Sequence, residues 1–259
     1  MFEVRGAVAV VTGASSGLGR RFALDMAARG ATVVGMARRQ ELLAGLGDEM
    51  RRSSPASTTI TCDVSRVDGF VSVLAAVERD HGRLDILINN AGTGPPRTGG
   101  EPDLAAHRTV METNYFAAVA GTLAVLGGML ERRTGAIVNV SSDSGRAPSP
   151  HEAAYSASKA ALSAFTESLS FDTEGTGVHL HVLYPGWVPT AMGNEAVEAG
   201  MPLPPRMVRR TEAQVSRLVL ARMGGARLDI DAAPIARLAP VGRALFPGAY
   251  RKGVRKASG

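Results

Sequence analysis

Tyr155 and Lys159 stand four residues apart in "AAYSASKAAL", a stretch otherwise dominated by small side chains. On a helix, residues i and i+4 share a face, about 6 Å apart along the axis. A free phenol ionises near pH ~10, too high for ready proton exchange at neutral pH. An ammonium about 5 Å away, at an effective dielectric near 20, favours the phenolate by roughly 3 kcal/mol, or about 2 pKa units. The spacing therefore predicts Tyr155 as a general acid/base tuned by Lys159. Alone the pair is weak, because a surface tyrosine beside a lysine is common. Its weight comes from what accompanies it. "NVSS" ends a strand-like run thirteen residues upstream of Tyr155, and the Ser142 hydroxyl is placed to donate to a substrate carbonyl. Asn114, in "METNYFAAV", is a poor helix former inside a helical pattern. It either satisfies a backbone group or holds a water that relays protons to the lysine.

A second group of residues suits an anion. "TGASSGLG" sets Gly13, Gly17 and Gly19, with Ser15, Ser16 and Leu18, between an apolar run and a helical pattern. Glycines let the backbone turn tightly and let a pyrophosphate approach the amides, and the helix N-terminus adds partial positive charge. The next strand ends "GMARRQ". An NAD ribose calls for an acid at that point. Here Arg38 and Arg39 follow Ala37 instead, and guanidiniums suit a 2'-phosphate, so NADP(H) is favoured over NAD(H). Asp63, followed by Val64 in "CDV", either accepts from an adenine amino group or caps the following helix. "NNAG" places Asn90, Ala91 and Gly92 where a loop would lie along a cofactor, although an Asn pair also serves to tie strand ends together.

These residues need a frame to bring them together. Apolar runs ending in turn residues ("AVAVVTG", "ATVVGMARR", "STTITCDV", "LDILINNAG", "GAIVNVSS", "VHLHVLYPG") alternate with helical patterns. Such alternation predicts right-handed crossovers and a parallel sheet covered on both faces. The expectation is an α/β, single-domain, Rossmann-like doubly wound fold over residues 1–259. Its mostly parallel sheet has six to seven strands, with "ARLDIDAA" as the candidate seventh. Residues of about 191–210, rich in Pro, Gly and Met, read as a segment covering the substrate. Residues of about 233–259 form an atypical basic and apolar tail broken by prolines.

Taken in order, "TGASSGLG", "NNAG", Asn114, Ser142, "YSASK" and "PGWVPT" resemble the short-chain dehydrogenase/reductase family over roughly residues 5–192. The resemblance implies hydride transfer between NAD(P)(H) and a carbonyl or alcohol. It implies that Tyr155 is the general acid in reduction and the base in oxidation. Lys159 would lower the tyrosine's pKa and bind the nicotinamide ribose, Ser142 would orient the carbonyl, and Asn114 would support a water relay. Asn90 would lie along the cofactor, and Arg38 would take the 2'-phosphate. Pro185, Gly186, Val188 and Thr190 would receive the nicotinamide end, with Thr190 near its carboxamide. The C-terminal sequence departs from the glycine-bearing finish of many tetrameric members, so a homodimer through the long helices is expected, with the tetramer left open.

The totals bound the remaining readings. The 259 residues carry 29 Lys and Arg against 24 Asp and Glu, and much of the excess falls after Pro205. Basicity is thus a property of the tail and not of the site. Nucleic acid is not expected as a partner. The tail is expected either to pack on its own domain or to make a weak membrane-surface contact. Lone Cys62 excludes an intrachain disulfide, and the opening residues do not read as a signal peptide, so a cytoplasmic setting is expected. The uncharged run 113–130 approaches the length of a membrane span, but its polar residues and glycines favour a core or subunit-contact helix. Scattered histidines give no metal site. Met192 and the methionines after it hint at an apolar ligand. A catalytically silent NAD(P)-binding regulator on the same fold is the alternative function.

Overall fold

The computed structural model describes residues 2–94, 103–148, 150–198 and 203–257. Residues 199–202 of the expected covering segment and 258–259 of the tail lie outside these. Seven strands form one sheet in the order β3-β2-β1-β4-β5-β6-β7, every neighbouring pair parallel. They are β1 Val8–Thr12, β2 Thr32–Ala37, β3 Thr58–Thr61, β4 Ile86–Asn89, β5 Gly135–Val140, β6 Val178–Tyr184 and β7 Asp229–Asp231. The chain runs outward from β1 in one direction, then returns to place β4 on its other side. That reversal leaves a crevice beyond the carboxyl ends of β1 and β4, where doubly wound sheets bind ligands.

Every residue of β1, β4 and β5 is buried, as expected for strands covered on both faces. On one face lie α1 (Gly17–Ala28), α2 (Gln40–Arg51) and α9 (Glu212–Arg222), which contribute Phe22, Met26, Leu46, Met50 and Val219 to one core. On the other, α3 (Val67–His81) and α5 (Ala117–Glu131) bury Phe70, Leu74, Val125 and Met129. Truncating one of these large side chains to alanine costs about 2–5 kcal/mol, so both layers are needed to hold the sheet.

The helical stretch around Asn114 is interrupted. Helix α4 (Leu104–Met111) passes into a π-helical turn over Glu112–Phe116 before α5 begins. From Leu104 to Glu131 the stretch is long and apolar enough to cross a membrane. In the fold, Ala117, Ala118, Gly121, Thr122, Val125 and Met129 are buried against the rest of the domain. A further short helix, α6 (Asp143–Arg146), fills what reads in sequence as a plain loop after β5, and α7 (Ala153–Asp172) comes next. The covering segment holds α8 (Ala191–Glu198) and a 3-10 turn at Arg206–Val208. The tail, whose structure was not legible in the sequence, forms a 3-10 turn (Pro234–Arg237), α10 (Leu238–Leu245) and α11 (Pro247–Ala257).

Candidate active site

A cleft of about 1130 Å³ opens at the carboxyl ends of the strands and is lined by residues from both halves of the sheet. At one end lies the glycine loop. Gly13 and Gly17 have φ of 67° and 57°, a region that L side chains avoid. A Cβ at Gly19 would collide with the Gly13 carbonyl and the Asn90 amide. Ser16 caps α1 in an extended conformation without a side-chain cap bond, and the first turn carries no acid. The cradle thus keeps helix N–H groups for an outside anion.

Asn90 locks this loop to the end of β4. Its Nδ2 donates to the Thr12 carbonyl at 3.0 Å and its backbone N–H to Thr12 Oγ1 at 2.9 Å. Its neighbour Asn89 is buried and donates to Asn139 Oδ1 at 2.8 Å. Asn139 in turn donates to Thr166 Oγ1 at 2.9 Å, so a polar strut crosses from β4 through β5 to α7. The two asparagines divide the roles left open in sequence: Asn89 ties elements together, and Asn90 also lines the cleft.

The arginines after β2 also divide. Arg39 Nη2 donates to Ser15 Oγ at 2.9 Å and to Ser16 Oγ at 2.6 Å, which lays its guanidinium across the glycine loop. Arg38 lines the cleft beside Asp63, whose carboxylate it helps hold below the usual range. The hydrogen bonds of Asp63 Oδ1 with Ser65 N–H (3.1 Å) and Ser65 Oγ (2.8 Å) act in the same direction against partial burial. Asp63 does not occupy the α3 N-cap, which is Arg66. Its carboxylate instead holds the turn while it and Val64 face the cleft.

At the other end stand the catalytic candidates. Ser141 and Ser142, alike in sequence, separate in space. Ser141 Oγ donates to the Lys159 carbonyl at 3.0 Å and only ties β5 to α7. Ser142 caps α6, accepting from Ser144 N–H at 3.2 Å, and its hydroxyl pulls the Tyr155 phenol's pKa down. Gly145 lets α6 lie directly on α7: a Cβ there would sit 2.9 Å from Ala160 N and Lys159 C. Buried Asn114 sits in the π turn. Its Nδ2 donates to the Thr93 carbonyl (2.8 Å) and to Ser158 Oγ (3.0 Å), while Oδ1 accepts from Thr93 N–H at 2.8 Å. The amide is thus used in joining the loop after β4 to α7, the backbone-satisfying alternative of the two open in sequence.

The Lys159 ammonium stands on the same face as Tyr155, but its hydrogen bond goes to the backbone. Lys159 Nζ donates to the Val140 carbonyl at 2.7 Å and lies 5.8 Å from the tyrosine ring centroid. Burial pulls the lysine down to about 8. The phenol is pushed up to about 12, first by its own desolvation and then by the carboxylates of Glu152 and Asp143, with Ser142 alone opposing. Asp143 is itself raised to about 6 by burial, against the pull of Arg146. Treating the pair as an isolated helix-face couple leaves out both desolvation and the two acids. Asp143, Ser144, Glu152 and Trp187 line the cleft without having stood out in sequence; an acid directly after Ser142 was the available signal.

Pro185, Gly186, Val188 and Thr190 line the cleft beyond β6. Gly186 has φ 70°, and a Cβ on Gly17 would meet the Thr190 methyl at 3.0 Å. The segment after β6 therefore touches the glycine loop and closes the cleft between its two ends. The residues fit a dinucleotide. Glycines clear space where a Cβ would clash, helix amides are left for a diphosphate, and guanidiniums stand where an NAD-type acid is missing.

A sequence profile of the short chain dehydrogenase family matches residues 7–200, and the chain belongs to this family of NAD(P)-binding oxidoreductases. It is 40% identical over 188 residues to an uncharacterized oxidoreductase of Myxococcus xanthus, covering 73% of this chain and 74% of that one. It is 39% identical over 193 residues to a short chain dehydrogenase of Pseudocercospora fijiensis, covering 74% of this chain but only 62% of that relative's length. An actinorhodin polyketide ketoreductase variant solved with NADPH superposes with a TM-score of 0.79 at 31% identity, covering 89% of this chain and 97% of that one. A Burkholderia phymatum member of the family solved with NAD gives 0.81 at 27% identity, covering 95% and 96%.

Proposed function

We propose that this protein is an NADP(H)-dependent oxidoreductase that interconverts a carbonyl and a secondary alcohol on an apolar small molecule, as a homodimer in a reducing, cytoplasmic setting. The observation that carries the reading is one cleft with a diphosphate cradle and Arg38 at one end and Ser142 and Tyr155 together at the other. When bound, the dinucleotide supplies or accepts the hydride. Tyr155 donates its hydroxyl proton to the carbonyl oxygen in reduction and takes it back in oxidation. Ser142 orients that oxygen by donating a hydrogen bond, and buried Lys159 is positioned on the turn that fixes the tyrosine. Cationic Arg38 supports NADP(H) over NAD(H), since a 2'-phosphate rewards a charge-assisted partner. Exposed Met192, Leu203 and Met207 in the covering segment support an apolar substrate. Exposed Phe116, Leu123 and Phe171 on the long helices support the dimer.

The test is a ketone panel assayed with NADPH and NADH. The expected result is turnover favouring NADPH, with Arg38→Ala losing about tenfold or more of that preference, the scale of a charged hydrogen bond. Tyr155→Phe should bind NADPH normally and lose about 10²-fold or more in kcat, the scale of general acid catalysis. Tight NADPH binding with no turnover of any carbonyl would instead support a silent regulator.

A further inference from the structure

Helix α10 has its amphipathic character turned outward. Leu238, Val241 and Leu245 recur at spacings of three and four, so they form one stripe. An ordinary surface helix buries such a stripe. Here the three are 61%, 50% and 66% exposed, followed by Phe246 at 66%. Arg243, on the opposite side of the helix, points back at the domain and donates to the Arg146 carbonyl at 3.4 Å. No described side chain from Leu238 to Arg255 is buried, and α10 and α11 pack chiefly on each other. The side carrying Ala239, Pro240 and Gly242 is turned toward the protein, and the Leu238, Val241 and Leu245 stripe faces outward.

Charge says what covers it. Asp231 is the last acidic residue of the chain; after it come Arg237, Arg243, Arg251, Lys252, Arg255 and Lys256. A recess of about 360 Å³ between the two helices is lined by Arg243, Pro247, Gly248, Tyr250 and Arg251, with cations and no acid. A second copy of so basic a surface would repel the first. An apolar stripe followed along the chain by Arg251, Lys252, Arg255 and Lys256, with no acid among them, complements an anionic lipid surface, the stripe sinking below headgroups that the cations meet.

We propose that α10 and α11 form a membrane-docking element for anionic bilayers. It sits at the rim of the cleft. The turn Pro234–Arg237 that starts it packs against the turn Arg206–Val208, Ala236 and Val208 line the cleft, and Met207 and Ile235 are exposed beside it. Arg237, paired with Asp231, fixes the element to the end of β7. Docking therefore sets the cleft mouth against the lipid. The surface itself does not depend on the chemistry assigned to the cleft, and its test reads binding and not turnover.

The experiment is co-sedimentation of the full chain with phosphatidylcholine vesicles containing or lacking phosphatidylglycerol. Binding to the anionic vesicles, weakened by salt and weak on pure phosphatidylcholine, is expected. Arg251→Glu with Lys252→Glu should weaken it by about fivefold or more per site. Leu245→Ser with Phe246→Ser should weaken it at least about tenfold, since buried apolar area sets the strength of interfacial binding. Both variants should keep the wild-type melting temperature and NADPH affinity, which separates lost docking from lost folding. The proposal is overturned if anionic vesicles do not retain the protein, or if the Leu245→Ser/Phe246→Ser protein is retained equally well. It is likewise overturned if vesicles are ignored while these substitutions abolish a dimer, which would assign the stripe to a second copy. Equal retention of wild type and that variant on a DNA oligonucleotide, without vesicle binding, would assign the cations to nucleic acid.

Discussion

Asp143 and, more strongly, Glu152 change the expected chemistry. Asp143 stands directly after Ser142, opens α6 at the cleft and lies close enough to Tyr155 to raise the phenol. Glu152, held by a 3.0 Å hydrogen bond from Ser144 Oγ, acts in the same direction. Two acids thus oppose the proton release that alcohol oxidation requires, and they favour the protonated tyrosine that reduction requires. Asp143→Asn removes one of them. The limb on which alcohol oxidation rises with pH should then move to lower pH, and the high-pH limb on which reduction falls should move with it. Steady-state pH profiles check this, and an unmoved limb in both directions would exclude Asp143 from the proton's energetics.

Among the elements, α6 is the smallest and the most demanding in its fit. Its Gly145 lies against the backbone of α7 at Lys159 and Ala160, which fixes the distance between Ser142 and Tyr155. Gly145→Ala forces the two helices apart at that point. Overpacking of this kind costs about 1–3 kcal/mol, so a lowered melting temperature and a kcat reduced more than NADPH affinity are expected in thermal melts and kinetics. Four residues of helix cannot show a period, so α6 was invisible in the sequence. The strands were legible because each is an apolar run ended by a turn residue, as in "AVAVVTG". The glycine loop, Ser142, Tyr155 and Lys159 were legible because their order carries the family pattern. The π turn was hidden inside an unbroken helical pattern, and Asn114 was its only sign. Helices α10 and α11 were hidden because Leu238, Val241, Leu245 and Phe246 are exposed and not buried in the described core. Side-chain direction was the least legible: spacing put Lys159 beside Tyr155, but the Val140 carbonyl claims its ammonium.

For the whole molecule, acid stability passes through β6. His181 is fully buried there, with Nε2 accepting from Gly224 N–H at 3.0 Å and Nδ1 paired with the Arg227 carbonyl at 2.9 Å. Burial pulls it down to about 4. The unfolded chain takes up this proton near pH ~6.5 and the folded one only near 4, so stability falls as pH falls through that window, by roughly 3 kcal/mol. Asp143, raised to about 6, has the opposite slope, its contribution fading as pH rises from about 4 to 6. The comparison of wild type with His181→Gln isolates the histidine: urea midpoints of the variant should be lower at pH 7 and depend less on pH between 6.5 and 4. The same end of the sheet shows how the chain is divided. Strand β7 completes the sheet, and Arg146 and Arg237 clasp its Asp231 from either side. Every described residue that lines the cleft is in place by then except Ala236, and the helices beyond it lean chiefly on each other. The cleft and the outward-facing helices are therefore written in separate lengths of the polypeptide, so that substitutions in α10 and α11 can alter the outer surface while the cleft stays unchanged.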